Sequence, residues 1–285
     1  MLNYFISILF GIVEGITEWL PVSSTGHMIL LDEFLSLDFG NAAFNEAFYN
    51  LFEVFIQLGA ILAVIVLFFR KLNPLALSKS PAEKKETWSL WFKVLVAVIP
   101  SAVVGIIADD FIDTHIGSYV TVALALVVYG VAFILVEKNR KSLPTVVSTS
   151  SVSYKTALLI GVFQMLSLIP GTSRSGSTIL GAMLIGVARP VAAEFSFFMA
   201  IPTMLGASLV RGWDFFEYVG EYGVSVPAEA WIVLAVGAVV AFVVSLVSIK
   251  FLMDFVRKHS FAPFGVYRII LGVLVLAYFL VKTLA

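Results

Sequence analysis

The chain has 285 residues, of which 60% are hydrophobic and only 13% charged. Charged residues make up about a quarter of a soluble globular chain, so this composition excludes a soluble domain and points to a polytopic membrane protein. A formal net charge of −1 with no basic cluster argues against a nucleic-acid partner, and zero cysteines exclude disulfides, thiolate catalysis and Cys-based zinc sites.

In chain order, the N-terminus lacks the positive region of a secretory signal, so Met1 onward is read as mature protein. Residues 2–13 are apolar but too short to cross a hydrocarbon core about 30 Å thick, which needs about 20 residues. Next come Glu14-Gly-Ile-Thr-Glu18-Trp-Leu-Pro-Val-Ser23-Ser24-Thr25-Gly26-His27. Glu14 and Glu18 share a face if helical; Pro21 and the Ser/Thr/Gly run read as a break with cap chemistry. Residues 28–31 turn apolar again. The pattern predicts a re-entrant helix pair around a polar break, then a mixed connector over 36–50.

Full spans are expected at 54–69, at 94–108 (extended back through Trp88 and Trp91, kinked at Pro100) and at 116–136. A lysine-rich loop over 70–93 and an acidic loop at Asp109, Asp110 and Asp113 separate them. A polar linker over 137–155 divides the chain into halves, 1–140 and 150–285. The second half repeats the plan. Short apolar stretches at 156–169 and 177–188 flank Pro170-Gly-Thr-Ser173-Arg174-Ser175-Gly176, and spans follow at 191–210, 230–249 and 264–281. Residues 211–229 are read as an acidic loop. Shifted by 150 residues without gaps, 10–30 and 160–180 share five identities in 21 positions, Ser23 falling on Ser173 and Gly26 on Gly176.

Each half therefore has three spans and a re-entrant pair. Three is odd, so the second half starts on the opposite side: an inverted repeat, which places sites at the midplane where the repeats meet. The expected fold is all-α, with six transmembrane helices and two re-entrant pairs. Lysine and arginine concentrate after spans one, three and five, which puts both termini outside the cytoplasm.

Ionised side chains in a membrane helix cost about 2.5–3.5 kcal/mol on insertion scales, so Glu14, Glu18 and Arg174 need a reason. A buried ion pair pinning the loops together accounts for Arg174 and one glutamate only. A phosphate site accounts for more. Backbone N–H groups at helix starts over Ser23–Gly26 and Ser173–Gly176 bind anions, and Arg174 adds a bidentate fork. Glu14 and Glu18 can hold a divalent cation, or one can act as base. Ser24, Thr25 and His27 are candidate nucleophiles or proton carriers. In a lipid setting this points to a lipid phosphate.

These two motifs, with Phe52-Glu-Val-Phe-Ile-Gln-Leu-Gly-Ala, Glu194-Phe-Ser-Phe and Ser260-Phe-Ala-Pro-Phe-Gly-Val-Tyr-Arg268, resemble the bacterial undecaprenyl pyrophosphate phosphatase family of the bacitracin-resistance type. The resemblance implies release of phosphate from the C55 lipid diphosphate, a magnesium or calcium ion, and a site open to the periplasmic side of the plasma membrane. It assigns Glu14, Glu18, Ser24, His27, Ser173, Arg174 and Thr178 to the site. Trp19 stands where phenylalanine is common. The expected partners are the lipid-linked diphosphate and membrane lipids; a homodimer is compatible with the sequence. The rival reading is a carrier or flippase for an anionic lipid, which needs anion ligands but no nucleophile beside a base. Elsewhere, Glu53 and Glu194 are read as carboxylates near helix starts, His115 and His259 as loop residues, Arg268 as a snorkelling interfacial residue, and the Phe195–Phe198 run as packing or lipid contact.

Overall fold

The computed structural model describes residues 1–116, 118–140 and 143–284; within 109–111 and 113–115 it describes the backbone only. The chain is helical throughout: α1 (Leu2–Thr17), α2 (Ser24–Phe34), α3 (Ala42–Leu67), α4 (Phe69–Leu72), α5 (Pro81–His115), α6 (Tyr119–Asn139), α7 (Tyr154–Met165), α8 (Arg174–Leu184), α9 (Arg189–Tyr222), α10 (Ala228–Lys258) and α11 (Ala262–Leu284). No strand occurs among the described residues; one bridge joins Val146 to Val187. Six helices, α3, α5, α6, α9, α10 and α11, are long and apolar enough to cross a membrane. Both α1 and α7 are shorter.

Several helices start earlier or end later than their apolar runs. The connector expected over 36–50 shrinks to 35–41, because Asn41 caps α3 by accepting from the Phe44 amide. Phe44, Phe48, Leu51 and Phe52 then bury one face of α3's first turns. Within the short connector, the Asp38 carboxylate accepts from the Gly40 amide and the Asn45 side chain, and these bonds hold it below the usual carboxylate range. Ser80 and Glu83 form a capping box, so α5 begins at Pro81, inside the expected loop. Pro100 lies inside α5 without ending it. The helix runs on through the expected acidic loop to His115; the side chains of Asp109, Asp110, Asp113 and His115 lie outside the described residues. α9 likewise continues past Arg211 to Gly223, which ends it with φ of 60°. Phe215 explains the extension, since it is buried against Phe44 and Phe48.

The outside of this protein is apolar. Val103, Ile106 and Ile107 of α5 and Val239, Val243 and Val247 of α10 are all at least half exposed, the inverse of a soluble surface and the expected face toward lipid. Inside, α1 lies on α10, α7 on α5, α3 between α9 and α10, and α6 on α11. Polar groups link these pairs: Ser7 donates to the Val233 carbonyl at 2.6 Å, and Gln164 to Ser101 Oγ at 2.5 Å. Gly130 of α6 and Gly265 of α11 face each other so closely that a Cβ on either would stand 2.6 Å from the other's carbonyl oxygen. Phe195, Phe197 and Phe198 are buried, which makes that run packing rather than lipid contact. Glu194 pairs with Lys71, and Glu137 of α6 accepts from Arg189 and from the Phe261 amide, so the polar linker begins only at Arg140.

Candidate active site

The two polar breaks have the same local geometry. Among the described residues, the only non-glycine residues with positive φ are Ser23, at 74°, and Ser173, at 72°. Each is the N-cap of the next helix, and each hydroxyl accepts from the amide three residues on, Gly26 at 3.3 Å and Gly176 at 3.1 Å. Such backbone costs about 1–3 kcal/mol per residue, and the surrounding contacts must hold it. The first-turn amides of α2 and α8 have no carbonyl partner within their own helix. The strained caps therefore bring two helix N-termini, with their partial positive charge, to the breaks.

Glu18 is the C-cap of α1, and its carboxylate joins the breaks. Oε1 accepts from Arg174 Nη2 at 2.7 Å, and Oε2 accepts from Ser24 Oγ at 3.0 Å. Ser175 Oγ donates to the Glu18 carbonyl at 3.0 Å. Arg174 Nη1 donates to the Ser196 carbonyl at 2.6 Å, which leaves Nε buried without a partner. Thr178 Oγ1 donates to the Arg174 carbonyl at 2.8 Å and lies 2.7 Å from Ser196 Oγ. A hydroxyl is thus seated on a carboxylate that a third group orients, the arrangement of an activated nucleophile.

Glu14 lies one turn before Glu18 on α1 and is fully buried, and neither of its carboxylate oxygens has a hydrogen-bond partner among the described residues. Glu18, Glu53 and Arg174 are charged groups that act on it. A carboxylate buried beside Glu18 calls for a cation, or for a proton shared with that neighbour. Among the described residues no three His, Asp or Glu side chains group closely enough to enclose a metal ion. Glu14 and Glu18, one turn apart, are the pair of carboxylates that a hard divalent cation would use here, as such ions take one or two carboxylates with water and phosphate oxygens.

His27, in the same first turn of α2 as Ser24, bonds neither to Ser24 nor to Glu18. Its Nδ1 is 2.7 Å from the Ser23 carbonyl and its Nε2 is 2.6 Å from the Tyr267 hydroxyl. The Thr25 side chain has no hydrogen-bond partner among the described residues.

Four further residues border the site, two of which, Arg268 and Glu53, the sequence pattern places elsewhere. Arg268 is no snorkelling residue: it is completely buried. It donates to the carbonyls of Pro21 at 3.1 Å, Gly171 at 3.0 Å and Thr172 at 2.9 Å, tying both breaks to α11, with its guanidinium over the Tyr129 ring. Glu53 sits in the middle of α3 rather than near its start. Ser196 and Tyr267 complete the four. The signal available for all of them was polarity inside apolar spans.

Three relatives are similar over nearly their whole length. The undecaprenyl-diphosphatase 1 of Clostridioides difficile is 56% identical over 279 residues, covering 98% of this chain and 97% of that protein. The undecaprenyl-diphosphatase of Lactiplantibacillus plantarum is 53% identical over 280 residues, covering 98% of both. That of Enterococcus faecalis is 50% identical over 279 residues, again covering 98% of both. The family model described as bacitracin resistance protein BacA matches residues 7–274, and the chain belongs to that family.

Proposed function

We propose that this membrane protein hydrolyses undecaprenyl diphosphate to undecaprenyl phosphate and inorganic phosphate, returning the lipid carrier to cell-wall synthesis. The names of its relatives point to this substrate. The observation that carries the reaction is the Ser24 hydroxyl on the Glu18 carboxylate, 3.0 Å away and locked by Arg174. A carrier for an anionic lipid has no use for that pair.

The two glutamates have different tasks. Both oxygens of Glu18 are engaged, by Arg174 and by Ser24, so Glu18 is the base. Glu14 has both oxygens to spare and is the carboxylate that would hold the cation, with Glu18 beside it. A bound magnesium or calcium ion supplies charge neutralisation on the phosphate oxygens. Arg174 and the first-turn amides of α2 and α8 hold the diphosphate, with Ser23, Thr25, Gly26, Ser173, Ser175, Gly176 and Thr178 shaping the cradle. Ser24 Oγ attacks the terminal phosphorus while its proton passes to Glu18. The bond to the bridging oxygen breaks, and the lipid phosphate leaves. Water then attacks the serine-bound phosphorus and His27 takes the water's proton, while Glu18 returns its own proton to Ser24. Inorganic phosphate is released.

The chain is built as two inverted repeats with the site between them. In support, α1 lies on α10 as α7 lies on α5, while α3 and α9, and α6 and α11, pair with their counterparts. Gly11 and Gly161, 150 residues apart, each approach a backbone carbonyl of the facing helix, that of Gly237 and that of Ala97. The reading of the cationic loops as one cytoplasmic face is supported by a recess lined by Lys71, Glu86, Ser148, Glu194 and Arg257, drawn from all three of those regions. The protein lies in the bacterial plasma membrane with its site opening outward.

The test is phosphate release from the C55 diphosphate by detergent-purified protein, with magnesium or calcium and with excess chelator. Release that stops on chelation is the expected result. Binding or transfer of the lipid between leaflets without release would overturn the enzymatic reading. For orientation, a cysteine at Glu221 should react with an impermeant thiol reagent on intact cells and one at Lys84 should not; the opposite pattern would overturn the topology.

A further inference from the structure

His27 is held on both ring nitrogens. Nδ1 is 2.7 Å from the Ser23 carbonyl, which can only accept, so Nδ1 carries the ring hydrogen. Nε2 is then the acceptor, and the Tyr267 hydroxyl donates to it at 2.6 Å. The two rings also stack, with centroids 5.6 Å apart and planes 6° from parallel. Ser23 is one of the two strained caps, so the carbonyl that fixes His27 belongs to the elbow that presents Ser24. Tyr267 is 46% exposed, so its hydroxyl end is not sealed in the core. It also precedes Arg268, which anchors both breaks from the same turn of α11.

This geometry has a consequence for proton movement. The only lone pair of the His27 ring is covered by the Tyr267 hydroxyl, so a proton reaches Nε2 along that bond. We propose that Tyr267 is the group through which His27 receives its proton, and that it holds the ring in the tautomer able to take it. The proposal rests on the reading of His27 as proton acceptor in the second step of hydrolysis. As water bonds to the serine-bound phosphorus, one of its hydrogens passes to the Tyr267 oxygen and the hydroxyl hydrogen crosses to Nε2. Tyr267 ends as it began, and His27 ends protonated. The phenol oxygen has lone pairs to accept from the new Nε2–H, so the ring does not move between the two states.

Tyr267→Phe is the discriminating variant, because it keeps the stacked ring and removes only the hydroxyl. A packing role for Tyr267 would leave it indistinguishable from the native protein. The relay role slows the second step. The expected results are a fall in kcat of about tenfold or more, in the lower range of what one acid–base group contributes, a KM that falls with it so that kcat/KM is little changed, and covalent phosphate from labelled C55 diphosphate accumulating in acid-quenched protein. Wild-type kcat, or slowed turnover with no rise in trapped phosphate, would overturn the proposal. Ring ¹⁵N shifts of His27 in detergent provide a readout that needs no turnover: the native protein should show the Nδ1–H tautomer, and Tyr267→Phe should shift the Nε2 signal. An unchanged Nε2 signal would also overturn it. If the native protein releases no phosphate, the proposed hydrolysis fails, and the ¹⁵N measurement still decides the Tyr267–His27 bond.

Discussion

Replacing Arg174 with lysine separates a phosphate clamp from a structural counter-ion. In the native site the guanidinium spans two acceptors, Glu18 Oε1 at 2.7 Å and the Ser196 carbonyl at 2.6 Å, and its side chain is 9% exposed. A lysine ammonium keeps the charge but is a point donor and lacks the planar fork. It can follow Glu18 or Ser196, and the abandoned bond is a hydrogen bond to a charged group worth about 1.5–3 kcal/mol net. That is the expected fall in stability, read as a change in thermal midpoint in detergent. Activity should fall further. Loss of one preorganised electrostatic contact to the transferring phosphoryl group costs about 2.7–4 kcal/mol, roughly a hundred- to a thousandfold in rate. The loss should appear in kcat, because the polyprenyl tail still holds the substrate in the bilayer. The assay is phosphate release by the purified variant beside its thermal unfolding. A well-folded Arg174→Lys protein within a few fold of the native rate would refute the clamp and leave the ion pair as a structural contact.

Two further substitutions divide the work of the carboxylates from that of the hydroxyl. Ser24→Ala removes the group seated on Glu18: a loss of about four orders of magnitude or more is expected of a nucleophile, whereas a loss near tenfold would mean that water attacks the substrate directly. Glu14→Gln should leave stability unchanged or raised, since it relieves a buried carboxylate that has no hydrogen-bond partner among the described residues and lies close to Glu18. Its phosphate release should fall by about a hundredfold and lose its dependence on added magnesium or calcium; native activity with unchanged metal dependence would remove Glu14 from cation binding.

The spans and breaks were legible because hydrophobic runs of membrane length and clustered polar residues leave strong marks in a 60% hydrophobic chain. Helix ends were not. Asn41 and Gly223 mark the start of α3 and the end of α9 locally, but the extra turns they bound are held by Phe44, Phe48 and Phe215 meeting one another, a contact between segments about 170 residues apart. Site membership divided the same way. Glu18, Ser24 and Arg174 stood out as charge and hydroxyls beside glycine in apolar sequence. Arg268 looked like a terminal snorkelling residue, because its partners are the carbonyls of Pro21, Gly171 and Thr172. Carbonyl acceptors carry no residue identity, so nothing in the sequence announced them.

The ion pair of Arg174 with Glu18 also answers the bland reading of these charges. A structural pin needs one cation and one anion, and that pair alone would satisfy it. The site holds more positive charge than a pin requires. Arg268 is a second buried guanidinium, and its hydrogen-bond partners are three carbonyls. Two helix N-termini add partial positive charge at the same place, behind Ser23 and Ser173. Glu14 lies close to Glu18 and lacks a hydrogen-bond partner among the described residues. The positive φ of both caps, and the Arg174 Nε and Glu14 oxygens without hydrogen-bond partners among the described residues, all cost stability. A protein selected for stability alone would lose them. On the proposed function, a diphosphate with a divalent cation would supply these partners at once: anion oxygens for the guanidinium and the first-turn amides, and the cation for Glu14.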